Sequence, residues 1–89
     1  MRVLPGKGVT GTALVNGKLD LRVEGRSAKI RCNQIGAAMW AALRHNDGFV
    51  DLAVESLARE WETDPRKVRV AVDAWSQKMI DDGWLRLDR

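Results

Sequence analysis

The hydrophobic period of this chain changes from two to about 3.6, and the change falls between Ser27 and Gly36. Ahead of it, Ala28, Ile30 and Cys32 alternate with Ser27, Lys29 and Arg31. Successive side chains of an extended chain point to opposite faces, so this stretch reads as a strand with one face buried and one wet. Asn33 then reads as a helix N-cap, because its side-chain oxygen can accept from the free N–H groups of a first turn. Such a chain folds as sheet first and helices second.

Two further strands precede the switch. Val9 to Val15 sets Val9, Gly11, Ala13 and Val15 on one face, and Thr10, Thr12 and Leu14 on the other. Asn16-Gly17 marks a tight type I′ hairpin, since both residues tolerate positive φ. Lys18 to Glu24 sets Leu19, Leu21 and Val23 against Lys18, Asp20, Arg22 and Glu24. Glu24-Gly25-Arg26 turns into the third strand, residues 27–32. The result is a three-stranded antiparallel meander with one apolar face, whose first and third strands are edges. Residues 1–8, interrupted by Pro5, Gly6 and Gly8, are expected to form an irregular lead-in, and residues 9–87 a single domain.

Three helices follow. Ile35, Met39 and Leu43, with Trp40 and Ala42 beside them, fall on one side of the first. His45-Asn46-Asp47-Gly48 ends it. Val50, Val54, Leu57, Ala58 and Trp61 define a second amphipathic helix. Asp64-Pro65 opens the third, Asp64 as cap and Pro65 at the first helical position, where a missing N–H costs nothing. Val68, Ala71, Val72, Trp75 and Met79 form its stripe, and Gly83 stops it. Trp84 to Leu87 packs back or frays. Neither three strands nor short helices are stable alone, so each needs the other's apolar face. The fold class is α+β, a three-stranded antiparallel sheet followed by three helices in a winged helix-turn-helix-like arrangement.

The residues carry little that points to catalysis. One histidine and one cysteine are too few for a zinc site built on those ligands. No phosphate loop, dinucleotide fingerprint, nucleophile elbow or metalloprotease helix motif occurs. Asp81-Asp82 reads as solvated surface at a helix end. His45 suits the negative end of its helix dipole. No enzyme, catalytic residue, metal or cofactor is expected. Cys32, in the apolar register of its strand, reads as a small core residue in a reducing cytoplasm. No apolar run nears the ~18 residues of a membrane span, and the N-terminus lacks a signal peptide's apolar region. The formal charge of +3 admits an acidic partner without demanding one. Arg66, Lys67 and Arg69 crowd the start of the third helix, where cations are disfavoured by the helix dipole.

The joints carry a resemblance. Asn33-x-x-Gly36-Ala37 followed by Trp40, the second helix ending near Trp61, Asp64-Pro65 at the start of the third helix, and Gly83-Trp84-Leu85 at its close resemble the PqqD-like family. These are peptide-recognition elements of pathways that make ribosomally synthesised, modified peptides. The resemblance spans residues 9–87, and the stand-alone size is most similar to the leader-binding proteins of lasso-peptide biosynthesis. The chain departs from the family's usual residues at Lys29-Ile30, Cys32 and Gln34.

The resemblance implies that a leader peptide adds as an antiparallel strand to residues 27–32, lies in the groove against helix 65–82, and is presented to a leader protease or other modifying enzyme. Ala28, Lys29, Ile30 and Arg31 are the expected strand contacts, and Arg69, Val72, Asp73 and Ser76 the expected helix contacts. Ala28, Ile30 and Val72 would form an apolar floor; Lys29, Arg31 and Arg69 would meet acidic leader residues. The same free edge could pair with a second copy. The alternative is a winged-helix DNA-binding protein. Against it, the sheet precedes the helices, Asp73, Asp81 and Asp82 would repel phosphate, and +3 is low for a basic footprint. Neither nucleic acid nor membrane is an expected partner.

Overall fold

The computed structural model describes residues 1–88. Five strands and three helices follow in the order β1 (Arg2–Pro5), β2 (Val9–Ala13), β3 (Leu19–Val23), β4 (Lys29–Cys32), α1 (Gln34–His45), α2 (Val50–Trp61), α3 (Pro65–Asp81) and β5 (Leu85–Asp88). The architecture is α+β. β2, β3 and β4 form the antiparallel meander, in that spatial order. Leu19 and Leu21 of β3 and Cys32 of β4 are buried, and Asp20 pairs with Arg31 on the wet side.

Two local expectations are corrected. The first eight residues are not an irregular lead-in: Arg2–Pro5 forms β1, antiparallel to β5, with Val3 opposite Leu87. Val3 is fully buried, and its N–H donates to the Gly48 carbonyl at 2.7 Å. The segment after Gly83 therefore packs back as a strand, and the chain's two ends close over the helices as a second sheet. The hairpin between β2 and β3 is not type I′ either. Gly17 has φ +82°, but Asn16 is not in the left-handed region. The Gly17 N–H donates to the Leu14 carbonyl at 3.1 Å, and the Leu14 N–H to the Lys18 carbonyl at 2.9 Å. That is a three-residue loop closed by a single left-handed glycine. Asn16 instead accepts from the Lys18 N–H through its side chain at 3.0 Å. Val15 is thereby lifted into the loop tip, fully exposed, instead of continuing the strand.

The helix boundaries follow their caps. Asn33 accepts from the Gly36 N–H at 2.8 Å, and Asp64 from the Arg66 N–H at 2.9 Å, each satisfying a donor without an intrahelical partner. Gly83, at φ +84°, ends α3. The core is one cluster built around Val3, Leu21, Leu43, Leu57, Val68 and Val72. α1 lies against β3 and β4, α2 packs between α1 and α3, and α3 packs on β5. α3 therefore stands beside the β4 side of the meander without covering it, which leaves a cleft.

Candidate functional site

The cleft is made by one edge of the meander and one flank of α3. It has a volume of about 300 Å³. Ile30 and Cys32 of β4 form one wall, Trp75 and Met79 of α3 the other, and Trp84 its end; Lys78 and Asp82 stand on its α3 side. Met79, Cys32 and Trp84 are buried, while Ile30 and Trp75 are half-buried and packed against the core. Gly36 makes the narrowness of the cleft floor possible. A Cβ there would lie 3.2 Å from Trp75 Nε1 and 3.2 Å from Cys32 Cβ, so the bare backbone lets the indole close down on the start of α1.

The main-chain groups on the open side of β4 can be assigned one by one. The Val23 N–H donates to the Ala28 carbonyl at 3.4 Å, which makes Val23 and Ala28 a hydrogen-bonded pair. Antiparallel partners alternate between bonded and non-bonded pairs. Ile30 opposite Leu21 and Cys32 opposite Leu19 are then bonded pairs, whereas Lys29 opposite Arg22 and Arg31 opposite Asp20 are not. Lys29 and Arg31 thus turn both N–H and C=O away from β3, toward open solvent. β4 is the terminal strand of its sheet, and no described strand occupies that side.

The electrostatics of the two outward side chains differ. Arg31 grips Asp20 through two bonds, Nε at 2.7 Å and an Nη at 3.1 Å. The Arg31 hydrogen bond, and then its charge, hold the Asp20 carboxyl below the ordinary carboxylate value, and the same contact raises Arg31. Lys29 makes no ion pair: across the strand it meets Arg22, and the Asp20 carboxylate, whose value both cations help to lower, is gripped by Arg31. Like charges directly opposite each other destabilise a sheet, so this corner favours an anion. Burial pushes the Cys32 thiol above its usual value, with the Asp20 charge adding to the effect; it is a neutral wall atom at pH 7, not a nucleophile.

The expected strand contacts fall together at this edge. Ile30 lines the cleft, Lys29 and Arg31 face outward, and Ala28 lies exposed just before β4. The expected helix contacts do not. Arg69 forms an ion pair with Asp51 at the start of α2. Val72 is sealed in the core at 1% exposure. Ser76 is buried, and its hydroxyl has no hydrogen-bond partner among the described residues. Asp73 is exposed, but it lies two residues from Trp75, about 200° around the helix. The flank of α3 that meets the cleft is the one carrying Trp75, Lys78 and Asp82. The sequence signal for it was Trp75, a large aromatic within the stripe and on the side of it nearer Lys78. Arg66 is likewise occupied, pairing with the Asp64 cap at 3.0 Å, so two of the three cations at the start of α3 already have carboxylate partners. Among the described residues no cluster of three or more His, Cys, Asp or Glu could hold a metal ion, and no helix is long and apolar enough to cross a membrane.

No family model matches the chain, and no curated protein matches it in sequence. Among solved structures, TbiB1 in complex with the TbiA(beta) leader peptide matches it with a TM-score of 0.82. The match covers 97% of this chain and 98% of that one, at 12% sequence identity. The match thus spans the fold from end to end, the strand-then-helix order read from the joints included: this chain has the fold of TbiB1, a protein solved with a leader peptide bound.

Proposed function

We propose that the chain binds the leader segment of a ribosomally synthesised precursor peptide and presents it to a processing enzyme, either a leader protease or another maturase of the same pathway. The leader adds to β4 as a further antiparallel strand. The observation that carries this reading is the row of outward N–H and C=O groups at Lys29 and Arg31, running alongside an apolar cleft. Main-chain bonds to such an edge accept an extended peptide largely regardless of sequence, and pockets beside it select alternate side chains.

The alternation fixes what each position of the guest would meet. The residue opposite Ile30 points into the cleft, against Trp75 and Met79, and should be apolar. Its neighbours, opposite Lys29 and Arg31, point to the wet face. The one beside Lys29 is best acidic, because Lys29 and Arg22 face each other and the Asp20 carboxylate they both feel is already held by Arg31. Arg31 is already held by Asp20, so it contributes main chain more than charge. On α3 the contacts we propose are Trp75, Lys78 and Asp82, in place of Arg69, Val72, Asp73 and Ser76.

The test is a calorimetric titration of synthetic leader peptides, taken from any precursors encoded near this chain's gene, into the purified protein. Saturable one-to-one binding is expected, with little salt dependence beyond that of one or two ion pairs. No binding of any leader, together with tight duplex DNA binding that falls steeply with salt, would replace this reading by the DNA-binding one.

A further inference from the structure

The meander has a second edge, and it is built differently. β2 reads Val-Thr-Gly-Thr-Ala, with no charge, no proline and Thr10 through Ala13 exposed. Proteins usually blunt an open edge with charged side chains, proline or a bulge. β4 carries Lys29 and Arg31; β2 carries none of these. The bonds from the Glu24 N–H to the Gly8 carbonyl (2.8 Å) and from the Leu14 N–H to the Lys18 carbonyl (2.9 Å) bracket the strand. By alternation, Thr10 and Thr12 bond to β3, while Gly11 and Ala13 turn N–H and C=O outward. The Val9 carbonyl also faces outward, and its N–H is taken by the Gly6 carbonyl at 3.0 Å.

We propose that a second copy of this chain pairs on β2 about a two-fold axis at Gly11, joining two meanders into one continuous sheet. In that register the two Gly11 residues exchange bonds with each other, and each Val9 carbonyl accepts from the Ala13 N–H of the other copy. About four main-chain bonds form, and the one outward group missing from the row, the Val9 N–H, leaves just the Ala13 carbonyl opposite it unused. Thr10 of one copy faces Thr12 of the other on the wet side, a favourable cross-strand pair. The cleft of about 270 Å³ between β2 and α1, walled by Leu14, Leu19 and Trp40, extends the apolar surface beside the junction.

Charge selects the occupant. A two-fold sets like against like. The β2 strands themselves bring no charges together, whereas the same pairing on β4 would set Lys29 of one copy against Arg31 of the other. The uncharged edge is therefore the self-complementary one. β2 and β4 lie on opposite sides of the meander, so pairing through β2 leaves both β4 edges open.

Sedimentation equilibrium of the full chain from about 10 µM to about 1 mM tests this. A reversible monomer–dimer equilibrium is expected, and a monomer throughout overturns the proposal. Thr10→Lys/Thr12→Lys should weaken the dimer by about tenfold or more, because like charges then meet across the axis. Thr10→Lys/Thr12→Glu should restore it, because opposite charges meet in this register and no other. Equal weakening by both double variants overturns the register. Exchange of the Gly11 and Ala13 amides in the unmodified chain gives a readout independent of the variants: it should slow as concentration rises, and concentration-independent exchange overturns the proposal. Leader binding by the two double variants should match that of the unmodified chain, so this proposal and the β4 reading stand or fall separately.

Discussion

Proline at neighbouring positions of β4 separates an open edge from a closed one. The Lys29 N–H points away from β3, so Lys29→Pro removes no bond within the protein. Proline is tolerated on an edge strand facing outward, and we expect a stability loss of about 1 kcal/mol or less, mostly from adjusting φ. The guest strand loses more. One main-chain bond is worth about 1 kcal/mol net, and the ring at the edge leaves a guest carbonyl unpaired for about another 1 kcal/mol. Together these predict a leader affinity lower by about thirtyfold. Ile30→Pro does the reverse. The Ile30 N–H bonds to Leu21, a residue with no exposure at all. Losing that bond and orphaning the Leu21 carbonyl cost about 3 kcal/mol, a large share of the stability of a domain this small. Calorimetric affinity and urea unfolding, measured on both variants, give the answer. If Lys29→Pro binds the leader as tightly as the unmodified chain, or if Ile30→Pro unfolds no more easily than Lys29→Pro, the assignment of edge groups is wrong.

The remaining expectations concern the cleft and its flanks. Trp75→Ala removes the α3 wall and should weaken leader binding by about thirtyfold, as for a buried aromatic at the centre of an interface, read by the same titration. Arg69→Glu should leave leader affinity unchanged, because Arg69 answers Asp51 on α2, away from β4; its cost, the loss of an exposed ion pair plus the repulsion of two facing carboxylates, is about 1 kcal/mol by chemical unfolding. Asp20 is held below its ordinary value of 3.8 by Arg31, so its contribution to stability is full above that pH and is lost as the pH falls through the depressed value. Asp20→Asn should therefore be less stable than the unmodified chain at neutral pH and should lose less stability on acidification, giving a shallower acid limb, and limbs of identical slope would contradict the pairing. The Cys32 thiol, raised by burial, should react slowly with a disulfide reagent at pH 8, and more slowly still with leader bound across the cleft.

Much of this fold was legible in the residues, for reasons that are local. The alternation in β3, the side-chain caps at Asn33 and Asp64 and the stop at Gly83 each act within a few residues, and each element formed where its signal stands. What the residues did not disclose depends on partners far along the chain. β1 is four residues without alternation, ending in Pro5 and followed by Gly6, and it is a strand because β5 lies beside it, with Arg2 opposite Asp88. The hairpin misreading has the same character: Asn16-Gly17 suits a two-residue turn, but Asn16 uses its side chain on the Lys18 N–H, and its carbonyl accepts from Gln34 at 2.7 Å.

The candidate site divides along the same line. The strand contacts were readable because a period of two leaves one choice of face. The helix contacts were not, since the stripe on α3 is wide and its rotation is set by packing on α2 and β5. Trp75 sits near the centre of the sequence stripe, yet the docked helix buries Val68, Val72, Ser76 and Met79 and leaves Trp75 at the margin that borders β4.

Amide hydrogen exchange, followed by NMR with and without leader peptide, tests the central claim most directly. Before peptide is added, Ile30 should already be protected by Leu21 while Lys29 and Arg31 exchange freely. On saturation, Lys29 and Arg31 should become protected together, with Ile30 little changed. If the leader binds and both of those amides go on exchanging as before, the peptide does not add to β4, and the account fails.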